Sequence, residues 1–220
     1  MPIHPDSAVG SRFVDTTLEL IAEHGGSQGV NLRGVSRRMG CAHTNAYNYF
    51  ESFGDLLWAA FRRGLRIYGE HLVQDLDAEL PATEYLRRTV SNLASFPQEN
   101  PGLYRFIASD PIDLESIPDD ILDTVTTMKR WLTVVVDAAA GPGADPATAH
   151  EAADIVLAYI DGETLNLING RAIPSEDLEG RIVGNAMRLF DLLTGNAAAG
   201  SRGRPGATSR PPDPALIFGA

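Results

Sequence analysis

Residues 30–56 read VNLRGVSRRMGCAHTNAYNYFESFGDL. His43, Thr44, Asn45, Asn48 and Tyr49 supply hydrogen-bonding side chains with no carboxylate interleaved, and Arg33 precedes them. His, Thr and Asn can donate to and accept from base edges, while Arg and Tyr suit phosphate oxygens. Leu32, Val35, Met39, Cys41 and Ala46 recur between them at helical spacing, with Gly40 separating two short runs. The pattern predicts two short helices about a glycine-centred turn, a helix-turn-helix whose second helix can enter a DNA major groove. A helical hairpin with a solvated polar face fits the same spacing.

Other chemistry finds less support. His4, His24, His43, His71 and His150 fall at no metal-type spacing, and no Cys-x-x-Cys or His-Glu-x-x-His element occurs. Asp119-Asp120 and Glu176-Asp177 stand at expected helix starts, where acids complement the helix dipole rather than form a catalytic pair. The single Cys41 excludes an internal disulfide and suits a reducing cytoplasm. No run approaches the roughly 18 apolar residues of a membrane span, and MPIHPDSAVGSR lacks the pattern of a signal peptide. The expectation is a cytoplasmic protein that is not an enzyme, with no metal and no cofactor.

The elements that must position the polar set are helical throughout. Apolar residues recur at helical spacing, and no run alternates with a strand's period of two. Helices are expected over about Ser11–His24, Asn31–Met39 and Ala42–Tyr49. Ser52 and Asp55 form a capping box opening a long helix that reaches Leu80. Further helices cover about Thr83–Ser95, a short stretch from Asn100-Pro101, Asp119–Ala140, Pro146–Asn169 behind the Asp145 cap, and Ser175–Thr194. The fold class is all-α, about nine helices: a helix-turn-helix head and a larger helical body.

Charge divides the same way. The chain of 220 residues has a formal net charge of −11. Residues 11–66 hold seven arginines against five acids, +2, whereas residues 67–196 hold 8 bases against 22 acids, −14. A mildly basic head before an acidic body hints at an anionic partner for the head. The organisation expected is a flexible leader at 1–10, the helix-turn-helix at 11–55, the body at 56–196 and a Gly/Pro-rich disordered tail at 197–220.

Arg12–Phe61 resembles the N-terminal DNA-binding domain of TetR-type transcriptional regulators. FVDTTLELIAEHG is similar to the family's first helix and NLRGVSRRMG to its second, with Val35-Ser36 in the usual Ile-Ala places and Gly40 as the turn glycine. Tyr47-Asn48-Tyr49-Phe50-Glu51-Ser52 and Leu56 match the recognition helix and its exit. Two positions depart: Cys41-Ala42 replaces Val-Ser or Val-Thr, removing the usual hydroxyl cap, and Phe53 replaces a lysine.

The resemblance implies a homodimer on a near-palindromic operator, DNA contacts from Arg33, His43, Thr44, Asn45, Asn48 and Tyr49, and a body that binds a small-molecule effector. Phe96, Tyr104, Trp131, Tyr159, Glu163 and Asn166 are the candidate effector contacts. Ile155, Ile160, Leu167, Ile182 and Met187 are the candidate dimer contacts, on the last two helices. The implied function is a repressor released by its effector. Two other readings stay open: a helical small-molecule-binding protein, and a dimeric interaction module with a degenerate helix-turn-helix.

Overall fold

The computed structural model describes residues 7–111, 117–141, 143–172 and 177–195. Among the described residues eight α-helices and one 3-10 helix make up the regular structure, and no strand occurs. They are α1 Ala8–His24, α2 Leu32–Arg38, the 3-10 helix His43–Asn48, α3 Phe53–Leu72, α4 Ala82–Glu99, α5 Pro101–Ala108, α6 Asp119–Ala140, α7 Pro146–Ile168 and α8 Leu178–Thr194. The chain forms two compact units: residues 1–68 with 99–122, and 69–98 with 123–220.

In the first unit α1 begins three residues before the spacing predicts, because Ser7 accepts a hydrogen bond from the Gly10 N–H at 3.1 Å and caps the helix. The rest of the expected leader, residues 1–6, and the expected tail, 197–220, lie outside the described residues. α1 buries Phe13, Val14, Thr17, Leu20 and Ile21. Phe13 meets Phe50 edge-on with ring centroids 6.3 Å apart, and Phe61 meets Phe106 at 5.5 Å. Two glycines bring helices close. A Cβ on Gly102 of α5 would meet the Ile21 carbonyl of α1 at 2.8 Å, and one on Gly64 of α3 would meet Leu103 Cδ1 at 2.9 Å. Each large core side chain contributes about 1.5–3 kcal/mol through burial.

In the second unit, buried Tyr85, Val90 and Phe96 of α4, Trp131 and Val135 of α6, Val156 and Ile160 of α7, and Ile182 and Phe190 of α8 form the core. α7 and α8 run antiparallel, joined by a Glu163–Arg181 ion pair at 3.0 Å and an Asn185–Tyr159 hydrogen bond at 3.0 Å.

Other boundaries also differ from expectation. α3 ends at Leu72, not Leu80. Asn92 Nδ2 donates to its final carbonyl, Leu72 O, at 3.1 Å and to Gln74 O just beyond it at 2.9 Å, and Asp75 then turns left-handed with φ 57°. α8 is capped by Asp177, which accepts from Gly180 N at 2.8 Å; Ser175, the expected start, lies outside the described residues.

Candidate nucleic-acid interface

The head is built from α1, α2 and the 3-10 helix. Asn31 Oδ1 accepts from Gly34 N at 3.0 Å and so caps α2, as the spacing predicts. Val35 and Ser36 face inward, and Gly40 turns the chain at φ 70°, which only glycine adopts without strain. Cys41 N then returns to Ser36 O at 3.0 Å, closing the turn. Ala42 offers no side-chain cap to the helix that follows. That helix is bonded from residue i to i+3, with Asn45 N donating to Ala42 O and Tyr49 N to Ala46 O, both at 2.9 Å. The helix expected over about Ala42–Tyr49 is present as a 3-10 helix over His43–Asn48.

In this winding residues three apart lie roughly in line. Ala46 and Tyr49 share one line: Ala46 is fully buried and Tyr49 half-buried, its ring 5.9 Å from Phe13. Thr44 and Tyr47 share the second and are exposed, Tyr47 by 52%. Asn45 and Asn48 share the third and are tied by an Nδ2-to-Oδ1 bond of 3.0 Å. His43 is exposed at the start. Sequence reasoning points to Tyr49 and omits Tyr47. The two lie on well-separated sides of the helix at either winding; it is the ring contact with Phe13 that marks Tyr49 as the inner one.

The arginines are also sorted. Arg38 is held by both oxygens of Glu23, at 2.8 and 2.6 Å. Arg62 pairs with Asp120, and Arg63 with Asp15 and with Ser11 Oγ at 3.1 Å. Hydrogen bonding from Arg38 holds the Glu23 carboxyl below its ordinary pKa, and hydrogen bonding from Arg62 does the same for Asp120. Arg33 and Arg37, one turn apart on α2, are exposed and have no ion-pair partner among the described residues. A groove of about 530 Å³ lined in part by His24, Val30, Asn31 and Arg37 runs beside α2, and no residue of the 3-10 helix lines it.

Compared with known structures, this arrangement has many counterparts. A transcriptional regulator from Rhodococcus sp. Rha1 superposes with a TM-score of 0.65 at 20% identity, over 89% of this chain and 98% of its own. A tetR-family regulator from Streptomyces coelicolor gives 0.65 at 18% identity, over 86% and 87%. The chain has the TetR-regulator fold. FadR from Bacillus subtilis, solved in complex with stearoyl-CoA, gives 0.58 at 18% identity, over 84% and 97%. Comparison with sequence families and with curated proteins returns no match.

Within this TetR fold the expected effector contacts scatter. Phe96 and Trp131 are buried in the second unit. Tyr104 is buried in the first, its ring 6.1 Å from Tyr68. Tyr159 and Glu163 face α8 through Asn185 and Arg181. Asn166 is exposed, its carbonyl accepting from Arg171 N at 2.7 Å and Ala172 N at 3.0 Å at the end of α7. One polar group stands out: Trp131 is 5% exposed and its buried Nε1–H has no acceptor among the described residues, with Tyr85 6.4 Å away ring to ring.

The expected dimer contacts also divide. Ile160, Ile182 and Met187 are buried within the protomer, so their apolar surface is already covered and a partner could not reach it. Ile155 is exposed and Leu167 half-exposed. Leu192, which sequence reasoning passes over, is 69% exposed. Apolar residues occupy every side of α7, so their periodicity does not tell the inner face from the outer.

Among the described residues no group of His, Cys, Asp and Glu could hold a metal ion, and no helix is long and apolar enough to cross a membrane.

Proposed function

We propose that this chain is a sequence-reading DNA-binding regulator that acts as a homodimer in the cytoplasm, a repressor released by a small molecule bound in its second unit. The observation that carries the reading is the outer surface of the helix-turn-helix. Thr44, Tyr47 and Asn48 stand exposed on a helix without an acid, after an α2 whose Arg33 and Arg37 are unpaired among the described residues. Base edges would be read from His43, Thr44, Asn45 and Asn48, and phosphates held by Arg33, Arg37 and the two tyrosines. Two copies would place their reading helices in successive major grooves, roughly 34–36 Å apart.

The pairing surface would be the outer faces of α7 and α8. Ile155, Ala158 and Gly162 on α7, with Gly184 and Leu192 on α8, are spaced three, four or eight residues apart. A Cβ on Gly162 or Gly184 would meet nothing within 4 Å, so both backbones are open to close approach by a partner. The effector reading is supported by the buried, unpaired Trp131 Nε1–H, a donor suited to an acceptor atom on an otherwise apolar ligand. The Bacillus regulator of this fold is known in complex with stearoyl-CoA, a ligand that joins polar acceptor atoms to a long apolar chain. Action by binding alone, without catalysis, follows from a shift in population between DNA-competent and released states.

A second reading has its own support. The uncapped 3-10 helix and Phe53 in the lysine position suit a dimeric module that has lost its DNA partner. Titrating binding to the protein's own upstream DNA against salt separates the two. The regulator reading expects tight, sequence-preferring binding that falls steeply with salt; no binding at low salt supports the module.

A further inference from the structure

The linker between α1 and α2 is loose by composition. Gly25, Gly26 and Gly29 all have positive φ, at 70°, 146° and 87°, so three of its residues resist rotation least. Yet it must deliver α2 and the reading helix at one angle, and the restraint comes from elsewhere in the chain. Ser27 donates twice to a single carboxylate oxygen, Asp110 Oδ2, from its N–H at 2.6 Å and its Oγ at 2.5 Å. Asp110 is 8% exposed and stands just after α5, its own N–H returning to Arg105 O at 2.8 Å. Beside it, a side chain on Gly26 would meet Arg105 Cδ at 2.9 Å and Asp110 Oδ2 at 3.2 Å, so the linker is pressed onto the end of α5. α5 is itself seated on α1 through Gly102. Hydrogen bonds to a carboxylate are about twice as strong as neutral ones, and burial excludes competing water.

We propose that Asp110 is a positioning residue for DNA reading: through Ser27 it clamps the α1–α2 linker to α5 and so sets the angle at which α2 and the reading helix are presented. The role rests on the DNA-reading function proposed above. Val30 N returns to Ser27 O at 3.1 Å and Asn31 caps α2 next, so only three residues separate the clamped serine from the α2 cap. A displacement of α5 would be carried through the carboxylate into the reading head.

The test compares Ser27→Ala, Asp110→Ala, the double variant and Ser27→Thr, which keeps both donors, all in the full-length protein. Backbone hydrogen exchange, melting temperature and affinity for preferred and random duplexes are read together. Asp110→Ala, which removes both bonds, should raise exchange about tenfold across residues 30–48 while leaving α4 and α7 unchanged; Ser27→Ala, which keeps the backbone N–H bond, should raise it less over the same residues. Preferred-site affinity should fall about tenfold, equivalent to about 1.4 kcal/mol, with random-duplex affinity at low salt retained. The double variant should match the worse single one, and Ser27→Thr should match wild type. Exchange confined to residues 26–28, a rise spread over the whole chain, or an equal loss on all duplexes would overturn the proposal. Should Asp110→Ala not fold, Ser27→Ala carries the test. A wild-type protein without sequence preference overturns the DNA reading; the exchange pattern then decides the clamp separately.

Discussion

Tyr47 and Tyr49 stand two positions apart and face opposite ways, which makes them separable by experiment. Tyr49→Ala removes the ring that meets Phe13 and should cost about 1–2 kcal/mol in stability by denaturant unfolding. Tyr47→Ala removes an exposed ring, so the unfolding midpoint should stay put while DNA affinity falls. The reverse pattern would show that the reading helix is wound differently. The arginines allow the same contrast. Arg33→Ala with Arg37→Ala should weaken binding to every sequence and lower the log–log salt slope by about 2, near 0.9 for each phosphate no longer neutralised. Arg38→Ala should leave that slope alone, because Arg38 is committed to Glu23. A charge count over residues 11–66 shows seven arginines and a surplus of +2, but it does not show which of them are paired. Pairing with Glu23, Asp15 or Asp120 depends on helices 15 to 58 residues apart meeting in space.

At the scale of elements, the ion pairs between helices set a pH dependence. Glu23 on α1 and Asp120 on α6 are both held below their ordinary pKa by an arginine. A carboxyl with a depressed folded-state pKa stabilises fully above its unfolded pKa and loses that contribution as pH falls through the folded value. Thermal melting should therefore be flat in this respect from pH 7 to about 5, then decline below about 4.5. Both pairs are exposed and screened by salt, so the Arg62–Asp120 contribution is about 0.5 kcal/mol or less. In Asp120→Asn protein the acid decline should be shallower, and an unchanged decline would show that the pair plays no part in it. Local signals make much of this architecture legible. Asn31, Ser52 and Asp145 cap the helices that their spacing predicts, since a cap involves only the next three residues. The end of α3 is not legible, because Asn92, some twenty residues on, takes its last carbonyl. The outer face of α7 is not legible either, as Ile155 and Ile160 look alike in sequence and differ only in what covers them. Leu192→Asp with Ile155→Asp should convert a dimer to monomer by light scattering without unfolding it, while Ile160→Asp should unfold the protomer.

At the scale of the whole chain, the net charge of −11 is an average that conceals its own meaning. The acids gather after residue 67, and the α2 arginines without an ion-pair partner among the described residues precede them. Association with DNA should accordingly be slow to start at high salt and steeply faster as salt is lowered, through the head alone. A small molecule that binds the second unit at 100-fold its dissociation constant should stabilise the protein by about 2.7 kcal/mol and shift its melting point upward. The central claim is that the helix-turn-helix reads sequence. The measurement that tests it most directly is competition: the purified protein bound to its labelled upstream DNA, challenged with unlabelled random duplex at about 150 mM salt. A reading head predicts that at least a thousandfold excess of random duplex is needed for displacement, and that His43, Thr44 and Asn48 alanine variants lose this margin while keeping low-salt binding. Displacement by an equal amount of random duplex would contradict it.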